Sequence, residues 1–383
     1  MSLGVYIHIP FCSRRCDYCD FATWVDKQDL IDSYFESISN QIKFHENNRE
    51  LDSQIDTIFF GGGTPNLVPS LKIEKVLERL RNVCGFSPDI EVTVECNPDH
   101  VTKEQMRHYY SMGVNRISLG IQSTNDHVLK FLGREHDPEN VYESIDHIFS
   151  SGITNVSGDL IYGSAVESLQ DWENTLNDIN SLNLKHVSAY ALGVETGTPL
   201  YSSIIKGEKK NINEDDLANK YEIADEILNR NGYNWYEISN WSKPQYESKH
   251  NLSYWLGGDI VALGCAAHGF TKDKRWSTPR NLETYVNRFS PNSTNLINES
   301  CFKYHNDYSN LSSKQEKFAL KIRTKYGIDW PHKSIPETVH KYIDLGMIVY
   351  NPNNSNISLT ASGRLLAHTI TVDLFEALEC IDG

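Results

Sequence analysis

Six short apolar runs, separated by helical patterns, constrain the fold of this chain more than any other feature of its sequence. They are rich in Val, Ile, Phe and Tyr, as β-strands are. Several are apolar on both faces, which is typical of strands in a parallel sheet that is covered on both sides. The predicted strands are Val5–Pro10, Thr57–Gly61, Glu91–Cys96, Arg116–Ile121, Val156–Tyr162 and His186–Leu192.

The segments between these runs carry apolar residues at helical spacing. Clear examples are Leu30–Ile42, Ile73–Val83 and Leu169–Leu182, each with one apolar stripe. Thr102 followed by Gln105 predicts a capping box at the start of a further helix. Strand–helix alternation repeated six times predicts an α/β fold with right-handed crossovers. We therefore expect an incomplete (βα)6 barrel over residues 1–232.

The pattern changes after residue 232. Residues 233–304 are rich in aromatic side chains and glycine turns without clear alternation, and we interpret them as an extension of the barrel. Residues 305–383 predict two helices, a hairpin of Met347–Tyr350 with Asn356–Leu359, and a last helix from Thr360. This order resembles a winged-helix α+β module. The module lies in an acidic chain, and its C-terminal segment has more acidic than basic residues. We therefore favour a protein-docking or lid role over DNA binding.

The charge of the chain excludes one class of partner. It has 36 basic and 51 acidic residues, a net charge of -15, whereas a nucleic-acid-binding protein needs a basic face. A small anionic ligand in a locally basic pocket remains compatible with this charge. No run of about 18 apolar residues suggests a transmembrane segment, and Met1–Pro10 lacks the pattern of a signal peptide. We expect a cytoplasmic protein, with peripheral membrane association left open.

Three cysteines in eight residues form the clearest candidate metal site. Cys12, Cys16 and Cys19 follow the first predicted strand in the spacing C-x-x-x-C-x-x-C. Thiolates select zinc, Cu(I) or iron–sulfur clusters, and a structural zinc site usually has a second paired element. The other five cysteines stand singly. This favours a [4Fe–4S] cluster with one iron left open for a ligand, over zinc or a chance grouping.

Polar or glycine residues stand at the ends of several predicted strands. The second strand ends in Gly61–Pro65, and Glu95, Gln122 and Asp159 lie at the ends of the next three or within them. Barrel chemistry gathers at the carboxyl ends of the strands, and glycines let backbone approach a ligand closely. Together these positions predict a ligand site beside the cysteine loop. Hydrogen bonding within the loops is the alternative for each residue alone.

The cysteine spacing resembles the radical S-adenosylmethionine superfamily, in which the open iron binds the amino and carboxylate groups of the methionine moiety. Other motifs resemble the oxygen-independent coproporphyrinogen III oxidase family: Tyr6–Cys12, Gly61–Pro65, Glu95–Pro98, Gly120–Ser123 and Asp159–Gly163. The resemblance implies a radical-S-adenosylmethionine barrel. It also implies S-adenosylmethionine contacts from Tyr6, Tyr18, Gly62, Gly63, Thr64, Glu95, Gln122, Arg134 and Asp159. Arg134 would supply a cation for the methionine carboxylate.

One position departs from the catalytic members of that family. They carry a further cysteine two residues after the third, where this chain has Phe21. Phenylalanine there resembles the heme-chaperone branch, and His250–Trp255 matches that branch's H-N-x-x-Y-W motif. The resemblance implies heme contacts from His250, Tyr254 and Trp255, with the imidazole as a candidate iron ligand. His268 is a second candidate ligand, for which a structural role is the favoured interpretation.

Two functions of different classes follow from these resemblances. The favoured one is a heme-binding chaperone that delivers heme, built on a [4Fe–4S] core that binds S-adenosylmethionine. Its partners would be heme, heme-receiving proteins and an electron donor. The alternative is an oxygen-independent coproporphyrinogen III dehydrogenase of porphyrin biosynthesis, which forms protoporphyrinogen IX by oxidative decarboxylation. The favoured function assigns no catalytic residue, so whether the chain is an enzyme stays open; its charge disfavours an RNA-modifying radical enzyme.

Overall fold

The computed structural model describes residues 3–290, 297–305, 310–332 and 335–382. The described strands are β1 Leu3–Ile9, β2 Ile55–Gly62, β3 Phe86–Cys96, β4 Arg116–Gln122, β5 Asn155–Tyr162, β6 His186–Ala191, β7 Asn234–Glu237, β8 Asn240–Ser242, β9 Asp259–Leu263, β10 His268–Thr271, β11 Lys274–Ser277, β12 Lys303–Tyr304, β13 Ile328–Asp329, β14 Ile348–Asn351 and β15 Asn356–Leu359. The described α-helices are α1 Ile31–Asn47, α2 Ser70–Cys84, α3 Lys103–Met112, α4 Asp126–Leu132, α5 Pro138–Ser151, α6 Leu169–Ser181, α7 Pro199–Ile205, α8 Glu214–Arg230, α9 Lys249–Trp255, α10 Leu282–Phe289, α11 Asn310–Lys321, α12 Glu337–Asp344, α13 Ala361–Leu365 and α14 Ala367–Asp382.

The six predicted strands form the parallel centre of a large sheet. Strands β1 to β6 lie in sequence order, each parallel to the next. In the register of the first pairs, Val5 lies opposite Ile58 and Ile58 opposite Val92. The side chains of all three are buried, because helices cover one face and the barrel interior lies on the other. The predicted α/β fold with six strand–helix units is confirmed.

The extension adds strands to both edges of this sheet, which its sequence pattern did not predict. Strand β9 lies parallel to β1, with Val261 opposite Val5, and is therefore a seventh parallel strand. Strands β10, β11 and β12 continue beyond β9, and β8 and β7 extend the other edge beyond β6. Five apolar-rich residues in β9 without a following helix give no periodic signal, and the strand is recognisable only from its pairing.

A large apolar core fills most of the space between the sheet and the helices. Ile38, Leu77, Ile145 and Trp172 from four different helices are buried in it.

The predicted capping box at Thr102 was wrong in one of its two bonds. The Thr102 hydroxyl does accept from the Gln105 amide, at 3.2 Å. The Gln105 side chain donates instead to the Asn66 carbonyl, at 2.8 Å, and so joins α3 to the loop after β2.

The C-terminal module has the order of elements that the sequence predicts. Helices α11 and α12 are followed by the hairpin of β14 and β15 and then by α13 and α14. The short strand β13 pairs with β15 to make a three-stranded sheet. Buried Ile322, Val339, Ile357 and Ile370 form a core separate from that of the barrel. No described helix of the protein is both long and apolar enough to cross a membrane.

Candidate functional site

The cysteine loop follows β1 and is bound to its surroundings through the backbone. The amide of Cys12 donates to the Trp24 carbonyl at 3.1 Å, and the amide of Thr64 donates to the Phe11 carbonyl at 2.8 Å. The Thr64 hydroxyl also donates to the Cys12 sulfur, at 3.6 Å. Burial raises the pKa of the Cys12 thiol to about 11. A metal that binds this thiol must therefore displace its proton.

The three thiols face one open cavity at the carboxyl ends of the barrel strands. Its volume is about 600 Å³, which is in the range of small-molecule sites. The structure brings every residue predicted to contact S-adenosylmethionine to the lining of this cavity. Together with the three cysteines, these are Tyr6, Tyr18, Gly62, Gly63, Thr64, Glu95, Gln122, Arg134 and Asp159. We call it the first cavity.

The glycines after β2 are needed for protein packing as well as for ligand access. A Cβ on Gly63 would lie 2.8 Å from the carbonyl oxygens of Ile9 and Phe11 and 3.0 Å from the Cys12 sulfur. Gly62 has a φ of +113°, and a Cβ there would collide with the ring of His8. The sequence suggested that these glycines allow close approach of a ligand, and the structure adds that they allow close packing of the protein itself. Only glycine lets this loop pack against the cysteine loop.

Two carboxylates face the first cavity from neighbouring strands. Glu95 accepts a hydrogen bond from the Gly62 amide at 2.9 Å, and burial raises its pKa to about 7. Asp159 accepts hydrogen bonds from three serine hydroxyls on β4, β5 and β6, at 2.7, 3.0 and 2.8 Å. Burial raises the pKa of Asp159 as well. Both carboxylates are fixed in position and available as acceptors for a polar ligand.

Arg134 joins the cysteine loop to the ends of β3 and β4. Its guanidinium donates to the Gly120 carbonyl at 3.1 Å and to the Asn97 side-chain oxygen. It also reaches the Cys16 sulfur, at 3.6 Å.

Gln122 ends β4 with a φ of +65°, a left-handed conformation that is uncommon outside glycine and concentrates at functional sites. Arg134 and Gln122 are therefore positioned by the fold rather than free in solvent.

Arg116 is a residue of this site that sequence reasoning missed. It begins β4, is 1 % exposed, and lines the first cavity. Two of its guanidinium nitrogens are buried without a hydrogen-bond partner among the described residues. Its positive charge lowers the pKa of both Glu95 and Asp159, against the larger effect of burial. A buried cation below two carboxylates balances their charge, but a lone arginine at a strand start gives no sequence signal.

The H-N-x-x-Y-W motif lies on α9, and the structure separates its aromatic residues. The His250 ring is 1 % exposed and stacks on Phe59, with ring centroids 5.2 Å apart. Its Nδ1 lies 2.9 Å from the Thr57 hydroxyl, and its Nε2 is buried without a partner among the described residues. An iron atom reaches Nε2 only if neighbouring side chains move. His250 and Tyr254 line the first cavity.

Trp255 occupies a different position from the one its motif suggests. It is absent from the described residues that line the first cavity, and its ring lies 6.0 Å from the Arg323 guanidinium, after α11. The heme contact expected from Trp255 stays a prediction, and the structure places Trp255 apart from His250 and Tyr254, which line the first cavity. His250 and Tyr254 are four positions apart on α9 and therefore lie on the same side of the helix. Trp255 lies on another side, near Arg323 of the C-terminal module.

The donor set and the space fit an iron–sulfur cluster with a ligand beside it. No three His, Cys, Asp or Glu side chains in the described ranges lie close enough to hold a single metal ion. A [4Fe–4S] cluster has a different geometric requirement from a single metal ion. Each cysteine binds a different iron, so the three sulfurs need not converge on one point. Three thiols on one loop, facing a cavity with fixed carboxylates, meet that requirement.

Comparison with known proteins agrees with this fold. Residues 6–179 match the model of the radical SAM superfamily. The heme chaperone HemW of Mycobacterium tuberculosis H37Rv is 32 % identical over 374 residues, which cover 96 % of this chain and 93 % of that protein. HemW of Bacillus subtilis 168 is 30 % identical over 380 residues, covering 96 % and 97 %. Coproporphyrinogen III oxidase (HemN) from Escherichia coli superposes with a TM-score of 0.81 at 18 % identity, covering 97 % of this chain and 89 % of HemN.

The barrel therefore carries a radical SAM domain in a fold shared with HemN. Among proteins with such a domain, this chain belongs to the heme chaperone HemW family. The expected resemblance to the heme-chaperone branch is confirmed. The likeness to HemN is a likeness of fold, and it extends from the barrel through the C-terminal module.

Proposed function

We propose that this protein binds heme and delivers it to heme-requiring proteins, and that its barrel holds a [4Fe–4S] cluster with S-adenosylmethionine. The observation that carries the proposal is similarity to heme chaperones over 96 % of the chain. Phe21 supports it, since a phenyl ring offers neither a thiol for acid–base chemistry nor a metal ligand. The heme acceptors and the electron donor are proteins of unspecified identity, and the proposed location is the cytoplasm.

The three cysteines of the loop are the proposed cluster ligands. Cys12, Cys16 and Cys19 would bind three irons and leave the fourth open to the methionine moiety. A reduced cluster bound there would supply the electron for cleavage of the sulfonium. Arg134, 3.6 Å from the Cys16 sulfur, offsets the negative charge of the bound thiolates. It also offers a cation near the carboxylate of the methionine moiety.

The remaining residues of the first cavity have distinct proposed roles in binding S-adenosylmethionine. The fixed carboxylates of Glu95 and Asp159 accept hydrogen bonds from the amino and hydroxyl groups of the ligand. Gln122 offers both a donor and an acceptor. Tyr18 packs against the apolar cluster of Val128, Ile161 and Leu192, and its ring gives an apolar face for the adenine. Gly62, Gly63, Thr64 and Tyr6 complete the wall.

Replacing Gln122 or Asp159 with alanine is expected to weaken S-adenosylmethionine binding. Each change removes a buried hydrogen-bond partner, which costs about 1–3 kcal/mol. Calorimetric titration of the reconstituted protein measures the change. The matched control is Asp146→Ala, which removes an exposed carboxylate of α5 and should leave the affinity unchanged. Unchanged affinity in both cavity variants would remove these residues from the site.

Heme binding itself is tested by titrating the anaerobically reconstituted full-length protein with heme. We expect a saturable change in the heme absorption bands that ends near one heme per chain. The control is the same chain unfolded in urea, which has the same amino-acid composition but no folded heme site. A linear signal without saturation in the folded protein would contradict the proposed function.

The domain division that accompanies this proposal has three parts. Residues 1–232 form the barrel that holds the cluster, residues 233–304 the extension with the H-N-x-x-Y-W segment, and residues 305–383 the winged-helix-like module. The C-terminal module, whose last segment has more acidic than basic residues, is the proposed docking surface for an acceptor protein, rather than a DNA-binding element. Its charge includes Asp373 and Glu376 on α14.

A further inference from the structure

A second cavity adjoins the first on the side of the extension. Its volume is about 730 Å³, and it shares Tyr6, Phe21, Glu95 and Tyr254 with the first cavity. The Phe21 ring is 65 % exposed and stands between the two. Most of the residues found only in this second cavity come from the extension, on strands β10 to β12, on helix α10 and in the loops between them. They include His268, Arg280, Arg288, Lys303 and His305.

Two histidines stand side by side in the second cavity. His268 begins β10 and its side chain is exposed; its ring lies 6.0 Å from that of His305, with 20° between the planes. The Ser277 hydroxyl lies 3.1 Å from His305 Nε2 and orients that ring. The His268 imidazole makes no hydrogen bond with any residue that the structure describes. The structural role favoured for it from the sequence was that of a buried histidine in a glycine turn, and the exposure of its side chain shows that it is not buried.

The state of His268 suits metal ligation. Partial burial lowers the pKa of its imidazole, and the nearby His305, Arg275, Arg280 and Lys303 lower it further. At neutral pH the ring is therefore uncharged and keeps a nitrogen lone pair for a metal. The same cations that depress the pKa create a local positive potential. In a chain of net charge -15, such a cluster indicates an anionic ligand.

The cations are placed to bind carboxylates. Arg280, Arg288 and Lys303 all line the second cavity and carry exposed side chains. The Arg280 guanidinium donates to the Asp20 carbonyl at 3.0 Å and lies 3.6 Å from the Asp20 carboxylate. Both side chains are more than half exposed, so this ion pair is weak, and the guanidinium keeps further donors for a ligand. Guanidinium groups bind carboxylates in bidentate fashion. Apolar surface is supplied beside them by Phe21 and Phe302.

We propose that the second cavity is the heme site, with the iron bound by His268 and the two propionates bound by Arg280, Arg288 and Lys303. This inference rests on the proposed heme-binding function and gives it a location. The porphyrin would lie along the aromatic wall that includes Phe21 and Tyr254, next to the cysteine loop. A chain with phenylalanine at position 21 thus offers apolar cover to the ligand at that point.

This site differs from the one that the H-N-x-x-Y-W motif suggests. The buried His250 ring is enclosed by Phe59, Tyr6 and Tyr254, whereas His268 is open to solvent. His250 then acts as a positioning residue, because it packs behind Tyr6 and Tyr254, which line both cavities. Its loss would disturb the cavity wall without removing the iron ligand.

The test is a heme titration of the full-length protein and its variants, followed by absorption spectroscopy. We expect His268→Ala to shift the heme bands and to weaken heme binding at least about tenfold. We expect the double variant Arg280→Ala/Arg288→Ala also to weaken binding about tenfold, since it loses charged hydrogen bonds to the propionates. The matched controls are His127→Ala and Lys274→Ala, exposed residues outside both cavities.

Heme dimethyl ester separates the two parts of the proposal. With its carboxylates esterified, it should bind the wild type and the double arginine variant equally, while His268→Ala should still shift its bands. Wild-type affinity and spectra for heme in both the His268 and the arginine variants would overturn the inference. If His250→Ala alone removed the heme ligand, the site would lie in the first cavity and the chaperone function would stand. Failure of the wild type to bind heme would overturn both.

Discussion

Replacement of Cys12, Cys16 or Cys19 with alanine is expected to abolish cluster assembly. The anaerobically reconstituted wild type should carry about four irons and four sulfides per chain, and each variant close to none. In the proposed site each thiol would bind a separate iron. The other cysteines stand singly in the sequence, and Cys96, which also lines the first cavity, lies on β3 outside the loop. Iron and sulfide analysis, with the visible absorption of the cluster, measures the change.

Cys84→Ala is the matched control for the cluster variants. Cys84 ends α2, outside the first cavity, and its sulfur donates to the Leu80 carbonyl of the same helix, at 3.3 Å. It should retain the full complement of iron. Stoichiometric zinc in place of iron in the wild type, or wild-type iron content in all three loop variants, would contradict the assignment of the cysteine loop.

The second large effect is expected from Arg364→Leu, which breaks the ion pair that joins the C-terminal module to the barrel. Arg364, on α13, donates twice to the Asp225 carboxylate on α8, at 2.9 and 2.7 Å. The two side chains are 5 % and 13 % exposed, and the guanidinium also lies 4.5 Å from the Trp235 ring. Leaving one buried charge unpaired should lower the free energy of unfolding by about 3–5 kcal/mol.

Urea unfolding of the full-length protein measures the cost of this substitution. The matched control is Arg230→Leu, which removes an ion pair with Glu226 whose side chains are both 69 % exposed. An exposed pair of this kind contributes about 1 kcal/mol or less. Similar stabilities for the two variants would show that the buried pair does not hold the module. Because Asp225 also accepts from the Trp241 indole at 2.8 Å, replacing Asp225 should cost at least as much.

The central fold was predictable because its strands carry strong local signals. Buried parallel strands such as β1 and β2 consist mostly of apolar residues, and amphipathic helices separate them. The spacing of the apolar residues and the length of each segment therefore identify these elements from the sequence. Strand β9 lacks those signals and becomes a strand only because β1 offers a free edge for pairing. Contacts between residues more than 250 positions apart leave no local pattern in the sequence.

The site residues that belong to sequence motifs could be predicted, whereas those that only the fold brings to the site could not. The cysteines and the residues at the strand ends meet in the first cavity, as their order on the strands implies. Arg116 and the three serines around Asp159 were missed, since single polar residues inside strands have no distinctive spacing. The burial of His250 and the exposure of His268 also depend on the fold and could not be predicted from their sequence contexts.

The distinction between a heme chaperone and a porphyrin-forming enzyme is tested most directly by a coproporphyrinogen III assay. The reconstituted wild-type protein, with its cluster intact and its heme binding demonstrated on the same preparation, is incubated with coproporphyrinogen III, S-adenosylmethionine and a reductant. Phe21 leaves the site without the further cysteine of the catalytic members, so we predict no protoporphyrinogen IX by chromatography with fluorescence detection. Robust conversion of coproporphyrinogen III to protoporphyrinogen IX would contradict the chaperone function.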